Sequence, residues 1–198
     1  MLTKNQYKIM QLTVSNLTKR FSIREIARLL KMNNSLAHRT ITPLINKKVF
    51  IKDEKGYLSL DYNKNHYLLS FSEYLRRNLF LKKYKSISLL TDDIIDKFPF
   101  AYFSLLIFGS TVISPKPKDL DLMLIVEKTK DIELAEKYLY NLTRRYTLKV
   151  HAVVLSFESV FEMLGSREEN NVVNEVLNKH IILYGAELFY KLLRKGRK

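Results

Sequence analysis

The sequence predicts an α/β chain, more closely α+β, in which a helical first part leads into a sheet with covering helices. Three observations carry this. Apolar residues recur at three- and four-residue spacing along much of the first half, the signature of amphipathic helices. Two unbroken apolar runs, Leu105 to Phe108 and Leu122 to Val126, flank a short polar stretch and read as buried strands. Beyond them, helix and strand patterns alternate, as in a sheet covered by helices.

The charge is unevenly spread. Residues 1–66 hold 13 Lys and Arg against 4 Asp and Glu, residues 67–90 hold 5 against 1, and residues 91–198 hold 16 against 15. Nearly all of the net +14 therefore lies in the first half. Binding a phosphate backbone is the commonest use of such asymmetry. Without cysteine the chain has neither disulfides nor thiolate metal sites. No run approaches the length of a membrane span, and MLTKNQYKIM lacks a signal-peptide core, so a cytoplasmic protein without a membrane partner is expected.

Taken in order, Tyr7, Met10, Val14 and Leu17 give a first amphipathic helix within residues 3–18. Ser22 followed by Glu25 reads as a capping box opening a second helix that ends near Met32, with Ile23, Ile26, Ala27 and Leu30 on one face. Asn33-Asn34 supplies a turn. A third helix, SLAHRTITPLINKK, turns Leu36, Ala37, Thr40, Ile41, Leu44 and Ile45 inward and leaves Ser35, His38, Arg39 and Thr42 outside, with a kink expected at Pro43. Two short strands, Val49 to Ile51 and Tyr57 to Leu60, enclose the turn Asp53-Glu54-Lys55-Gly56. Three helices followed by a hairpin resemble the winged helix-turn-helix domain of many prokaryotic regulators, covering residues 1–62. That resemblance implies DNA as a partner. The third helix would enter the major groove with Ser35, His38, Arg39 and Thr42, and Lys55 in the hairpin turn would touch the flanking backbone.

Residues 63–86 read as a long connecting helix whose aromatic seam (Tyr67, Phe71, Tyr74) should pack on a neighbouring element or a second subunit, so that a homodimer is expected. Residues 87–198 form the remaining domain. It begins with a helix containing Ile87, Leu90, Ile94 and Ile95 and continues into the two apolar strands. A helix from Asp131 to Arg145 and a strand from Leu148 to Leu155 follow, and the tail beyond Phe157 reads as helical throughout.

The polar stretch between the apolar strands carries the chemistry. Asp119 and Asp121, one residue apart on a strand, project from the same face, and two carboxylates so placed call for a divalent cation. Gly109 lets backbone approach an anion, and Ser110 offers a hydroxyl and a possible helix start. Phe108-Gly109-Ser110, a gap, then Asp119-Leu120-Asp121-Leu122 resembles the signature of the nucleotidyltransferase superfamily, the fold shared with DNA polymerase β and the small minimal nucleotidyltransferases. The segment Ile181 to Tyr190 is similar to the C-terminal part of the prokaryotic stand-alone members.

The resemblance implies Mg²⁺ or Mn²⁺ held by Asp119 and Asp121 against a nucleoside triphosphate, whose phosphates would meet Gly109, Ser110 and Lys118, with Lys116 and Lys118 in the loop entering the Asp strand neutralising charge on pyrophosphate. Catalytic members carry a third carboxylate on a later strand, where this chain has His151. Histidine suits Mn²⁺ or Zn²⁺ better than Mg²⁺, and it is equally compatible with a strand end of no ligand role. Three functions stay open: nucleotidyl transfer to an acceptor hydroxyl with Asp119, Asp121 and His151 as the catalytic set, a non-catalytic transcriptional regulator using the domain as sensor or scaffold, and a modifying enzyme paired with a toxin-like partner.

Overall fold

In the computed structural model, which describes residues 2–114, 119–166 and 171–196, helix α1 (Lys4–Val14) opens on a reciprocal cap. The Thr3 hydroxyl accepts the Gln6 N–H, and the Gln6 side chain accepts the Thr3 N–H. In α2 (Ile23–Leu29) the Ser22 hydroxyl accepts the Glu25 N–H at 3.1 Å. This helix stops a turn earlier than expected, because Lys31 takes a left-handed φ of 53°. Asn33 caps α3 (Asn34–Asn46) through the Leu36 N–H at 2.7 Å. Ala37, Thr40, Ile41 and Leu44 form its buried stripe, and the helix runs on through Pro43 as one element. Proline cannot donate to the Arg39 carbonyl, but that carbonyl belongs to an exposed residue and water can serve it. Strands β1 (Phe50–Lys52) and β2 (Leu58–Leu60) pair antiparallel, and a bridge from Phe21 to Leu58 adds a third chain segment to the hairpin.

Helix α4 (His66–Lys83) is followed directly by α5 (Lys85–Lys97). The sheet is built from β3 (Phe103–Phe108), β4 (Asp119–Val126), β5 (Lys149–Ser156) and β6 (His180–Tyr184), in the order β5-β4-β3-β6. A 3₁₀ turn, Gly109–Val112, follows β3. Helix α6 (Ile132–Thr143) makes the crossover between the parallel strands β4 and β5, while β3 runs antiparallel to both its neighbours. Helices α7 (Phe157–Gly165), α8 (Val172–Val176) and α9 (Ala186–Gly196) complete the chain.

The expectation of a wholly helical tail is corrected at β6. His180, Ile181, Ile182 and Leu183 are all buried, so the segment has no polar alternation to distinguish strand from helix. Gly185 ends it at φ 73°, and a Cβ there would lie 2.3 Å from the Phe103 carbonyl oxygen. Close approach of β3 requires glycine at this position.

Alternate residues of the sheet feed two apolar layers. Leu105, Ile107, Leu122 and Leu124 pack with Ile87, Leu90 and Ile94 of α5 and Leu139 of α6. Leu106, Phe108, Met123 and Ile125 belong to a second cluster that also contains Ile9, Met10, Ile41 and Leu44 from the first helices and Phe189 and Leu193 from the last. Each such side chain, fully buried, contributes about 1.5–3 kcal/mol. The Leu17 N–H also donates to the Leu177 carbonyl, and Thr18 bonds Asn178. Among the described residues no helix is long and apolar enough to cross a membrane.

Helix α4 is more than a connector. Leu69, Phe80 and Leu81 are buried in the chain itself, whereas Tyr67 and Tyr74 of the expected aromatic seam are exposed. Its inner face carries Glu73 and Arg76, both buried. Arg76 donates to the Glu73 carboxylate at 2.6 Å and to the His180 carbonyl at 2.6 Å, and the Tyr190 hydroxyl donates to Glu73 at 2.9 Å. His180 Nε2 lies 3.3 Å from the same carboxylate. Burial alone would raise the Glu73 pKa, but the Arg76 charge together with His180 and Tyr190 holds it below the usual value. Burial and the Glu73 charge push the Tyr190 hydroxyl well above its ordinary value.

Candidate functional site

The site is set by strand register. Residues opposite one another in a ladder project to the same side, and Asp121 stands opposite Phe108 on β3 and His151 on β5, while Phe108 stands opposite His180 on β6. His151, Asp121, Phe108 and His180 thus form one row across all four strands. Asp119, opposite Lys149, lies two residues further toward the open end of β4. Leu120 and Leu122 are buried while Asp119 and Asp121 are partly exposed, so the two carboxylates do share one face, as their spacing requires.

Gly109 closes the site from the β3 side. Its φ of 67° is left-handed, and a Cβ built on it would stand 2.7 Å from Asp121 Oδ2, so the carboxylate occupies the space a side chain would need. The Thr111 hydroxyl donates to the Asp119 carbonyl at 2.9 Å and ties the 3₁₀ turn to the start of β4. Ser110 is exposed, and its carbonyl accepts the Ile113 and Ser114 N–H groups. The helix start considered for Ser110 is corrected: only this four-residue turn forms, too short for the aligned dipoles of a helix end. Lys116 and Lys118 lie outside the described residues.

The partners of the acids come from β5. Lys149 Nζ lies 3.8 Å from Asp119 Oδ1, and His151 Nδ1 lies 3.7 Å from Asp121 Oδ1. Lys149 and His151 are themselves more than half exposed, so these long contacts contribute about 0–1 kcal/mol and leave the carboxylates open to a competing ligand. Among the described residues no three or more His, Cys, Asp or Glu side chains come together as a complete metal cage. The two acids could supply hard oxygen ligands for no more than part of a coordination shell. A Mg²⁺ ion bound through one or two carboxylates takes its other ligands from substrate phosphates and water. Sequence reasoning missed Lys149, although its two-residue spacing from His151 repeats that of Asp119 and Asp121; the parallel register sets the two pairs side by side on neighbouring strands.

The second candidate surface lies on α3 and the hairpin. Ser35, His38 and Arg39 are exposed and Thr42 is half-buried. Thr42 donates its hydroxyl to the His38 carbonyl at 2.9 Å and also lies 3.4 Å from His38 Nδ1, which steadies the imidazole on the outer face. Lys55 is exposed at the hairpin turn. Of its acidic neighbours, Asp53 accepts the Tyr57 N–H at 2.8 Å and pairs with Arg20 at 3.4 Å, so one acid of the turn is engaged in holding it. Arg20 and Lys52 join Lys55 and Tyr57 around a groove beside the turn, residues that the hairpin pattern did not single out.

Comparison of the chain with protein-family models, with curated proteins and with solved structures finds no match in any of the three.

Proposed function

We propose that this is a DNA-binding protein of winged helix-turn-helix type joined to a nucleotidyltransferase-like sheet that binds a nucleoside triphosphate with a divalent cation, and that its output is regulated DNA affinity. The observation that carries the nucleotide reading is the paired carboxylate edge: Asp119 and Asp121 on one face, with Asp121 packed over the left-handed Gly109. Mg²⁺ would be held by Asp119 and Asp121, and it supplies charge neutralisation for the phosphates when bound. Ser110 and the backbone at Gly109 would face the phosphate oxygens. Binding in this way needs two acids. Transfer by a two-metal mechanism needs more, and the neighbours on β5 are Lys149 and His151. This difference favours a sensor.

DNA would be met by Ser35, His38, Arg39 and Thr42 on α3, with Lys55 on the flanking phosphates, and the +9 surplus of residues 1–66 supplies the long-range attraction. A second reading, nucleotidyl transfer, is favoured by one observation: His151 sits directly beside Asp121, where a third ligand or a base would stand.

Calorimetric titration of ATP, GTP, CTP and UTP with Mg²⁺ or Mn²⁺ tests the site. The expected result is metal-dependent binding that is lost in Asp119→Asn/Asp121→Asn, without pyrophosphate release. Release would establish transfer instead, and absence of binding by all four nucleotides would remove the nucleotide reading. Retention of duplex DNA at rising salt tests the other half. Arg39→Ala should weaken binding and lower the salt slope by about 1, while a slope near zero would refute phosphate contact.

A further inference from the structure

A second cavity lies between α4 and β6, toward the opposite end of β3 from the carboxylate edge. Tyr184 pairs with Leu105 near the start of β3, whereas Asp121 pairs with Phe108 at its end. Ser70, Tyr74 and Arg77, spaced by four and three residues, present one face of α4 to this cavity. The opposite wall is Tyr184, Gly185 and the first turn of α9.

Two polar atoms of the lining residues are unsatisfied. Ser70 Oγ and Arg77 Nε are both shielded from solvent and both without a hydrogen-bond partner, the two such side-chain atoms among the described residues. A buried donor left unmade costs about 1–3 kcal/mol, more when charged, so two of them on residues that line one cavity mark a place where an acceptor, met by a small turn of these side chains, would be stabilising. Gly185 precedes α9 and has no side chain with which to cap it. Its carbonyl accepts the Phe189 N–H, while the first N–H groups of a helix have no acceptor within the helix. Guanidinium, hydroxyl and helix N–H groups all call for an oxyanion.

The walls set the rest of the ligand. Tyr74 and Tyr184 are both exposed beside the cavity, and Tyr184 is held by stacking on Phe103 with ring centroids 4.5 Å apart. They offer apolar faces to a planar body. Glu187 also lines the cavity, and its charge opposes anions in proportion to their own charge, a triphosphate far more than a single carboxylate or phosphomonoester. We propose that this cavity is a binding site for a small planar ligand bearing a single carboxylate or phosphomonoester, anchored by Arg77 and Ser70 and distinct from the Asp119 and Asp121 site.

The test uses the full chain with benzoate, phenyl phosphate and the uncharged benzamide as probes, followed by calorimetry and by the Arg77 Nε–H resonance. At least one anion should bind and shift that resonance together with the amides of Gly185 to Glu187, and which anion binds more tightly distinguishes carboxylate from phosphate. Benzamide should bind at least 10-fold more weakly. Arg77→Met should weaken the anion at least 10-fold and Ser70→Ala several-fold, with Arg77→Lys intermediate, whereas Asp119→Asn/Asp121→Asn should bind as the unaltered chain does. The proposal is overturned if neither anion binds at millimolar concentration, if benzamide binds as well as the anions, or if Arg77→Met and Arg77→Lys both bind unchanged.

Discussion

Replacing Glu73 by Leu removes the one carboxylate at the centre of the buried polar network. Two groups lose their acceptor, Arg76 at 2.6 Å and Tyr190 at 2.9 Å, and His180 Nε2 loses its 3.3 Å contact. Arg76 keeps its bond to the His180 carbonyl but becomes a buried charge without a counter-charge. Breaking a buried ion pair from one side costs about 3–5 kcal/mol, and the orphaned Tyr190 hydroxyl adds about 1–3 kcal/mol. Against a net stability of about 5–15 kcal/mol for a protein, this is a large share.

Urea unfolding at neutral pH should therefore move Glu73→Leu to a much lower midpoint. The double variant Glu73→Leu/Arg76→Met should recover much of the loss, since apolar replacement of a buried pair is often neutral. The pH dependence has a definite sign. Glu73 titrates below its ordinary value in the folded chain, so its contribution is present above about 4.5, the unfolded value, and is lost as pH falls through the folded value. The acid limb of stability should flatten in Glu73→Leu. A destabilisation under 1 kcal/mol with an unchanged acid limb would refute this account of the network.

Gly109→Ala must either push the Asp121 carboxylate aside, from a 2.7 Å approach, or abandon the left-handed φ. It should cost about 1–2 kcal/mol in urea unfolding and reduce metal-nucleotide binding at the Asp119 and Asp121 site, and full retention of both would contradict the packing described. Tyr146 is pushed up to about 12 by burial and by its bond to Asp93 at 2.5 Å. Ultraviolet titration should show one tyrosine ionising near pH 12, absent in Tyr146→Phe, and the stability this residue contributes should be lost as pH rises between about 10 and 12.

Much of the helical part was legible because its periodicity has one answer. Ala37, Thr40, Ile41 and Leu44 of α3 fall on the expected inner stripe, and Ser35, His38 and Arg39 fall outside it. The carboxylate edge was legible as well, since the period of a strand is 2 and Asp119 and Asp121 differ by two. What escaped was pairing across distance. Nothing local in His180 to Tyr184 states that its partner is β3, and an apolar run buried on both faces reads equally as helix. Glu73 and Arg76 escaped for a related reason: charged residues on a helix usually face water, and only the arrival of His180 and Tyr190 from the far end of the chain makes their burial tolerable.

The bond between Thr18 and Asn178 spans 160 residues of chain. Closing a loop of that length by itself costs about 4–5 kcal/mol in chain entropy, more than one exposed hydrogen bond returns. The clasp cannot lead folding. It is favourable where other contacts already hold the two ends close, so it acts as a latch on the join between the segment after α1 and the segment before β6.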